Sequence, residues 1–398
     1  MDNKNKLARK IKIESNFQRK MVIFSIVFLG SVSILLYLGT KRESVVRFGF
    51  VDKSSKTVYP TLYSDEHITP NAVISDPKFK NISFAPRESQ LANVISVVSI
   101  NTGTKTYGSE NGTWLWTPTL DITTKYMDSI ISGAKKNGIK NIYLSIDSFL
   151  DIYVMPPGEE KDKKKTQFDK IISDFIKKAN ANDIKVDAEG GWRNWAENGN
   201  TYKAFVTIDY AREFNKTHAE KFRGFQYDIE PYLLDSYKNN KIAVLTNFLN
   251  LVDQSVAFLN GSDLSLSVVI PEFYDGTNNE TSEFSYAGKT GFAVDHLLTI
   301  LDKREGSKII VMSYRNWSLG NDGSIEVSKD EITSANKHKT KVVLAQETGD
   351  VNPPYITFHN TTHSYYSKQL NLLQKSFSKD KSFGGVATHY INALMALK

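Results

Sequence analysis

The chain has 398 residues, 40% of them hydrophobic and 24% charged, so it is long enough to bury a large core in one or two domains. It contains no cysteine, which excludes disulfides, a thiolate nucleophile and cysteine-bound metals. The net charge of +6 is concentrated in residues 1–20, where seven basic and two acidic side chains give +5. The remainder is nearly neutral, so we expect no basic surface that would bind nucleic acid.

Residues 21–40 form a run without a charged side chain. A helix of this length, at ~1.5 Å per residue, spans the ~30 Å hydrocarbon core of a bilayer. Because the basic segment precedes the run, the positive-inside rule predicts a cytoplasmic tail (1–20), a transmembrane anchor and an extracytoplasmic remainder. The alternative is a cleaved signal peptide, but both segments are long and no clear small-residue cleavage site follows. We therefore expect a single-pass protein of the cell membrane, of bacterial type.

Residues 41–110 show no helical period. Val45–Phe48 and Val94–Ile100 have the composition of strands, and polar residues and prolines separate them. We interpret this region as a stalk or a short β-rich segment that leads to the main domain.

From residue 111 to 398, short apolar strands alternate with amphipathic helices, which predicts a parallel sheet in the α/β class. Eight such pairs over this length favour a closed (β/α)8 TIM barrel. The alternative is an open doubly wound sheet, but no Gly-x-Gly-x-x-Gly follows an early strand. The predicted strands are Thr113–Thr117, Asn141–Ile146, Ile184–Ala188, Gly224–Ile229, Leu264–Ile270, Lys308–Ser313, Lys341–Ala345 and Gly384–Thr388.

Two acids follow the apolar part of the fourth predicted strand. Side chains alternate along a strand, so Asp228 and Glu230 should share a face, with Tyr227 and Ile229 on the other. Pro231 then ends the strand because it has no N–H for the ladder. Like charges this close favour protonation of one of them, which is how a general acid is made.

The other carboxyl ends of the predicted strands are also rich in acids and aromatic residues. Active sites of TIM barrels lie at these ends, where carboxylates can move protons and flat rings can stack on sugars. Any single acid could instead be a helix cap, and any single tryptophan a core residue, so the set carries the interpretation. Its members are Trp114, Trp116, Asp147, Asp187, Glu189, Trp192, Tyr232, Glu272, Tyr314, Arg315, Glu347 and His389. The opposite ends carry basic residues that we interpret as ordinary solvent-facing ones: Lys140, Lys185, Arg223, Lys308 and Lys341.

Two segments resemble a known family. Arg-Gly-Phe-Gln-Tyr-Asp-Ile-Glu (223–230) is similar to the strand-four signature Asp-Gly-x-Asp-x-Asp-x-Glu of glycoside hydrolase family 18, the chitinase-type barrels. Met-Ser-Tyr-Arg (312–315) resembles the Met-x-Tyr-Asp of the sixth strand. Arg223, Gln226 and Arg315 stand where that family has aspartates, and no tryptophan ends the eighth strand. The chain is also similar to exported bacterial barrels of the glycosidase type.

The resemblance implies that Glu230 is the general acid, Asp228 its partner and Tyr314 a substrate contact. Retaining barrel glycosidases have acids at the ends of strands four and seven, as acid/base and nucleophile. Glu347, at the end of the seventh predicted strand, matches the second of these positions. A separation of ~5–5.5 Å between the two carboxyl groups would indicate retention, and ~6.5–9.5 Å inversion. No His-Glu-x-x-His or Gly-x-Ser-x-Gly occurs, so we expect neither a metal nor another cofactor, nor a serine hydrolase.

These patterns predict a membrane-anchored, extracytoplasmic glycoside hydrolase that cleaves a surface or secreted polysaccharide. One alternative is a barrel that binds glycan without turnover, in polysaccharide assembly or sensing. Another is a partner in polysaccharide synthesis or export that uses the barrel only as a surface.

Overall fold

The computed structural model describes residues 110–398. The basic tail, the predicted anchor at 21–40 and the stalk up to residue 109 lie outside the described residues. None of the helices between residues 110 and 398 has the length and hydropathy needed to cross a lipid bilayer.

Eight parallel strands close into a barrel, which confirms the predicted TIM-barrel architecture and excludes the open sheet. The first strand pairs with both the second and the last, and this pairing completes the ring. The barrel strands are β1 (Glu110–Leu115), β2 (Asn141–Ser145), β3 (Lys185–Gly190), β4 (Gly224–Tyr227), β5 (Ser265–Pro271), β8 (Lys308–Met312), β9 (Lys341–Glu347) and β10 (Phe383–His389). A separate antiparallel hairpin, which the sequence did not predict, consists of β6 (Phe284–Tyr286) and β7 (Lys289–Gly291).

Helices surround the barrel, and each predicted helix is present. They are α1 (Thr124–Lys136), α2 (Phe149–Val154), α3 (Glu159–Asn180), α4 (Thr201–Thr217), α5 (Tyr237–Phe258), α6 (Ala293–Leu301), α7 (Lys329–Ala335), α8 (His363–Phe377) and α9 (Ile391–Ala396). The sequence predicts a long loop after the second strand and then a helix over Gln167–Ala181, whereas α3 begins at Glu159 and α2 occupies part of that loop. The first two turns of α3 are charged and mostly exposed, so they lack the apolar period that reveals a helix.

Alternation along the strands separates two hydrophobic layers. Leu115, Leu144 and Leu344 face outward and pack against the helices. Trp114 and Val343 belong to a smaller cluster inside the barrel. Residues two apart on a strand share a face. Side chains that continue the inward-facing positions beyond the carboxyl ends of the strands therefore point into the open end of the barrel, which we call its mouth.

An ionic network closes the amino-terminal end of the barrel. Arg223 donates to Asp187 through Nε (2.9 Å) and through its second terminal nitrogen (2.5 Å), and it also pairs with Glu110, as does Lys308. Burial alone would raise the pKa of Asp187, but the charge and hydrogen bonds of Arg223, with smaller contributions from Lys308 and Asn141, lower it.

This network corrects two expectations. Asp187 lies at the closed end rather than at the mouth, and Arg223 and Lys308 are bound in ion pairs rather than ordinary solvent-facing residues. The physical reason is that Asp187 faces inward near the start of β3, two residues below Glu189, where the inner row begins.

Candidate active site

The fourth barrel strand delivers a carboxylate pair to the mouth. Tyr227 and Ile229 pack in the outer layer, so alternation directs Asp228 and Glu230 to the inner side. A short 3-10 helix starts at Pro231. The hydroxyl of Tyr232, within that turn, donates a hydrogen bond to Oε1 of Glu230. Burial and the charge of Glu230 raise the pKa of Tyr232 well above its ordinary value, so this phenol remains a donor.

The backbone of Asp228 is held against the end of β3. Its N–H donates to the carbonyl of Gly190 at 3.2 Å. A Cβ at Gly191 would lie 2.1 Å from the carbonyl oxygen of Asp228, so the close approach of the two chains requires glycine there. Gly190, which ends β3, and Gly191 after it therefore fix the position of the acids that follow β4.

A second carboxylate ends β9, on the same inner face. Glu347 is fully buried, and its Oε1 accepts a 2.5 Å hydrogen bond from the N–H of Gly349. Its Oε2 lies 2.8 Å from Nδ1 of His389, its register partner on β10. Nε1 of Trp116, just beyond β1, donates to Nε2 of His389 at 3.0 Å. Three adjacent strands thus supply a row of hydrogen bonds that ends on Glu347.

This row defines the tautomer of His389. An indole N–H can only donate, so Nε2 accepts from Trp116 and Nδ1 carries the proton given to Glu347. Burial by itself would lower the pKa of His389, but the charge and hydrogen bond of Glu347, together with the charges of Asp228 and Glu230, raise it. The mouth is therefore an electronegative environment.

The hydroxyl of Tyr314, after β8, lies among carboxylates from three different strands. Burial raises its pKa well above the ordinary value, and the charges of Glu347, Asp228, Glu230 and Glu272 raise it further. The structure thereby brings the acids of β4 and β9 into the neighbourhood of one phenol. Tyr314, Trp116 and Tyr232 also pack on the interior cluster and form an aromatic lining.

Arg315 is engaged by two acids. It donates to Oδ1 of Asp322 at 3.0 and 2.7 Å, and its other terminal nitrogen lies 3.4 Å from Oε1 of Glu272. Burial raises the pKa of Glu272, although the charge of Arg315 opposes this effect. Arg315 and Glu272 therefore hold the loop after β8 against the end of β5.

The remaining predicted residues lie lower in the barrel or on its β2–β3 side. Trp114 is fully buried below Trp116 and donates to Oε1 of Gln226 at 2.7 Å, so it belongs to the floor. Asp147 accepts from the N–H of Gly191 at 3.3 Å. Glu189 is fully buried. The guanidinium of Arg193 lies 5.5 Å from the ring of Trp192.

Sequence reasoning missed the roles of Gly349 and Asp322. Gly349 contributes a backbone N–H, and Asp322 comes from a polar turn that is seven residues from its partner Arg315. The sequence Glu-Thr-Gly at 347–349 was the available signal for Gly349. A glycine two residues after a buried acid leaves space for its backbone N–H to approach the carboxyl group. Asp322 had no such signal. Between residues 110 and 398, no group of three or more His, Asp or Glu side chains is arranged to hold a metal ion.

Comparisons with protein families and with curated protein sequences found no match. Solved structures with a similar barrel include a chitinase from Chromobacterium violaceum, at 12% identity and a TM-score of 0.42 over 73% of this chain and 97% of that one. An endo-β-1,4-mannanase from Thermotoga petrophila matches at 11% identity and 0.47, over 72% and 68%. The spore cortex-lytic enzyme of Bacillus megaterium matches at 13% and 0.42, over 75% and 76%. The barrel itself is established by the pairing of its eight strands and not by these likenesses.

Proposed function

We propose that this protein is a glycoside hydrolase that acts on a polysaccharide outside the cytoplasm while anchored in the membrane by residues 21–40. The observation that carries the proposal is the pair of carboxylates Glu230 and Glu347. They come from different strands, Glu230 accepts a hydrogen bond from Tyr232, Glu347 accepts from Gly349 and His389, and the charges of both raise the pKa of Tyr314. Two carboxylates from different strands, beside aromatic rings, are the kind of arrangement that glycosidic bond cleavage requires.

In this proposal Glu230 is the general acid. Tyr232 donates to its Oε1, so the proton to be transferred sits on Oε2. That proton moves to the glycosidic oxygen as the bond between it and the anomeric carbon breaks. Asp228, on the same face of the chain, orients Glu230 and disfavours a second negative charge next to it.

Glu347 is the second carboxylate of the reaction. Donors to both of its oxygens, from Gly349 and His389, fix the orientation of the carboxyl group. It either attacks the anomeric carbon, forming a glycosyl ester that water then hydrolyses, or it removes a proton from the water that attacks directly. The configuration of the first product, followed by NMR, distinguishes the two courses.

The test is release of reducing ends by the soluble fragment from residue 43 onward. Bacterial surface polysaccharides and chitin-type oligomers form the substrate panel. We expect Glu230→Gln and Glu347→Gln each to lower kcat at least about 100-fold, the usual size of an acid–base contribution. Glu283→Gln is the matched control, because Glu283 is exposed. Undiminished cleavage by Glu230→Gln would exclude the proposed general acid.

The membrane part of the proposal rests on the uncharged run at 21–40 and the basic segment before it. Protease added to intact spheroplasts should digest the barrel of the full-length chain. A chain that begins at residue 43 should lose its association with the membrane fraction. Retention of that shorter chain in membranes would contradict anchoring by residues 21–40.

A barrel that binds glycan without turnover is the second candidate. The observation in its favour is Gln226, which stands where the chitinase-type signature has an aspartate and is built into the floor by Trp114. This alternative predicts calorimetric binding of a polysaccharide with no new reducing ends. Cleavage that disappears in Glu230→Gln would exclude it.

A further inference from the structure

The loops after β8 and β9 are joined to each other and carry aromatic side chains on their outer surface. The N–H of Asn316 donates to the carbonyl of Tyr355 at 2.9 Å, and its side chain donates to the carbonyls of Pro354 and Thr357, both at 3.0 Å. The ring of Trp317 lies 6.3 Å from the ring of Tyr355, at 57°. Tyr355 is 46% exposed and Trp317 is half-buried.

The backbone that presents Trp317 is held on both sides. Asn316, before it, is tied to the other loop, and Ser318, after it, bonds to Gln369 of α8 through its N–H (2.9 Å) and its hydroxyl (2.7 Å). The carbonyl of Trp317 itself accepts from the N–H of Ser324 at 3.0 Å. A half-buried ring on a fixed backbone loses little conformational entropy when a ligand stacks on it, which favours a binding role.

Both rings are connected directly to the candidate active site. Trp317 follows Tyr314 by three residues. Thr357, two residues after Tyr355, pairs with the end of β9 at Glu347, and its hydroxyl donates to the carbonyl of Gly349 at 2.6 Å. The aromatic pair therefore stands on the rim of the mouth, beside the segment that orients Glu347.

We propose that Trp317 and Tyr355 form a rim platform that binds a sugar ring of the substrate chain outside the reacting pair. The inference rests on the proposed function and extends it, because a platform outside the pocket selects long chains. A pyranose presents C–H groups to a ring face and hydroxyls to the side, and the side-chain amide of Asn316 lies on the segment that joins the two loops. Together with Leu319, which is 63% exposed, the patch has three apolar side chains, far fewer than a protein interface of ~800 Å² per partner needs.

The test compares a long soluble polysaccharide that the wild type cleaves with a two-sugar chromogenic glycoside of the same sugar. We expect Trp317→Ala and Tyr355→Ala each to raise KM for the polysaccharide about two- to ten-fold, with kcat unchanged and the short substrate unaffected. Tyr365→Ala is the matched control, since Tyr365 is 40% exposed but lies on α8 rather than on the joined loops. Equal losses on both substrates, or no change on either, would overturn the platform.

Retention in polysaccharide-containing native gels separates this inference from the proposed function. In a Glu230→Gln background, the platform predicts that Trp317→Ala weakens retention several-fold while Tyr365→Ala does not. If the barrel binds glycan without cleaving it, the hydrolase proposal fails while this prediction stands. If retention is unchanged by both Trp317→Ala and Tyr355→Ala, the platform is wrong even when cleavage is confirmed.

Discussion

Nδ1 of His389 donates a 2.8 Å hydrogen bond to Oε2 of Glu347, and both side chains are almost completely buried. The indole of Trp116 bonds to the other ring nitrogen, so His389 is held between a donor and a carboxylate. Neither His389 nor Trp116 has to touch substrate for this arrangement to matter, because the row fixes the direction of the Glu347 lone pairs.

Removing the imidazole should disorient Glu347. A hydrogen bond to a charged group contributes about 1.5–3 kcal/mol, so we expect His389→Ala to lower kcat about 10- to 100-fold. His389→Asn should recover part of the loss, because the amide nitrogen of asparagine can occupy the position of Nδ1. Measured kcat and KM check this, and equal activity of the Ala and Asn variants would show that the hydrogen bond is unimportant.

Trp116 opposes protonation of His389 because its N–H faces Nε2, whereas the surrounding carboxylates favour the charged ring. Trp116→Phe should therefore raise the pKa of His389 further, as seen by NMR of the imidazole. A raised folded-state pKa means that the stabilisation is complete below the ordinary value near 6.5 and is lost as pH rises through the folded-state value. The difference in unfolding free energy between wild type and His389→Asn should accordingly shrink as pH rises above about 6.5, and a difference that grows would contradict this sign.

Glu331 on α7 is a buried carboxyl without a hydrogen-bond partner for either oxygen within residues 110–398. Burial raises its pKa well above the ordinary value, and the charges of Asp275, Glu272 and Asp330 raise it further. The folded chain therefore retains a proton that the unfolded chain releases above about pH 4.5, and stability falls by up to ~1.4 kcal/mol per pH unit until the folded-state pKa is reached.

Glu331→Gln should remove this cost and stabilise the protein at neutral pH. Urea unfolding at pH 5 and pH 8 would measure it, with Glu283→Gln as the control, because Glu283 is exposed and is not among the charges that act on Glu331. We expect the gain to be larger at pH 8 than at pH 5. A variant that is less stable at both values would show that the carboxyl has a partner it needs.

The closed end of the barrel should affect stability rather than activity. Arg223→Met leaves Asp187 buried without its main counter-ion, and breaking such a pair typically costs about 3–5 kcal/mol. Because Arg223 is partly exposed, we expect a loss of unfolding free energy at the lower end of that range. Chemical unfolding measures it, and Lys185→Met is the control because Lys185 is exposed. Below the unfolding transition kcat should remain within about two-fold of wild type; a large loss of kcat in the folded variant would contradict a purely structural role.

Local patterns in the sequence determined the barrel. Apolar runs of strand length, each followed by an amphipathic period, specify eight strand–helix units, and alternation alone put Asp228 and Glu230 on the inner face. The same reasoning failed where the deciding partner is distant in sequence. In the sequence Asp187 looks like the other acids near strand ends, but Arg223, 36 residues later, binds it at the closed end of the barrel. The charged start of α3 was missed because exposed helical turns have no apolar period.

What only the tertiary structure decided is which strand ends are neighbours and which groups bond there. His389 and Glu347 end the neighbouring strands β10 and β9, and Trp116, just beyond β1, reaches them only because the barrel closes between its first and last strands. The joining of the loops that carry Trp317 and Tyr355 depends in the same way on the pairing of β8 with β9. Residue type and spacing indicate which face of a strand a side chain occupies. Contacts between segments hundreds of residues apart depend instead on the register and closure of the whole sheet.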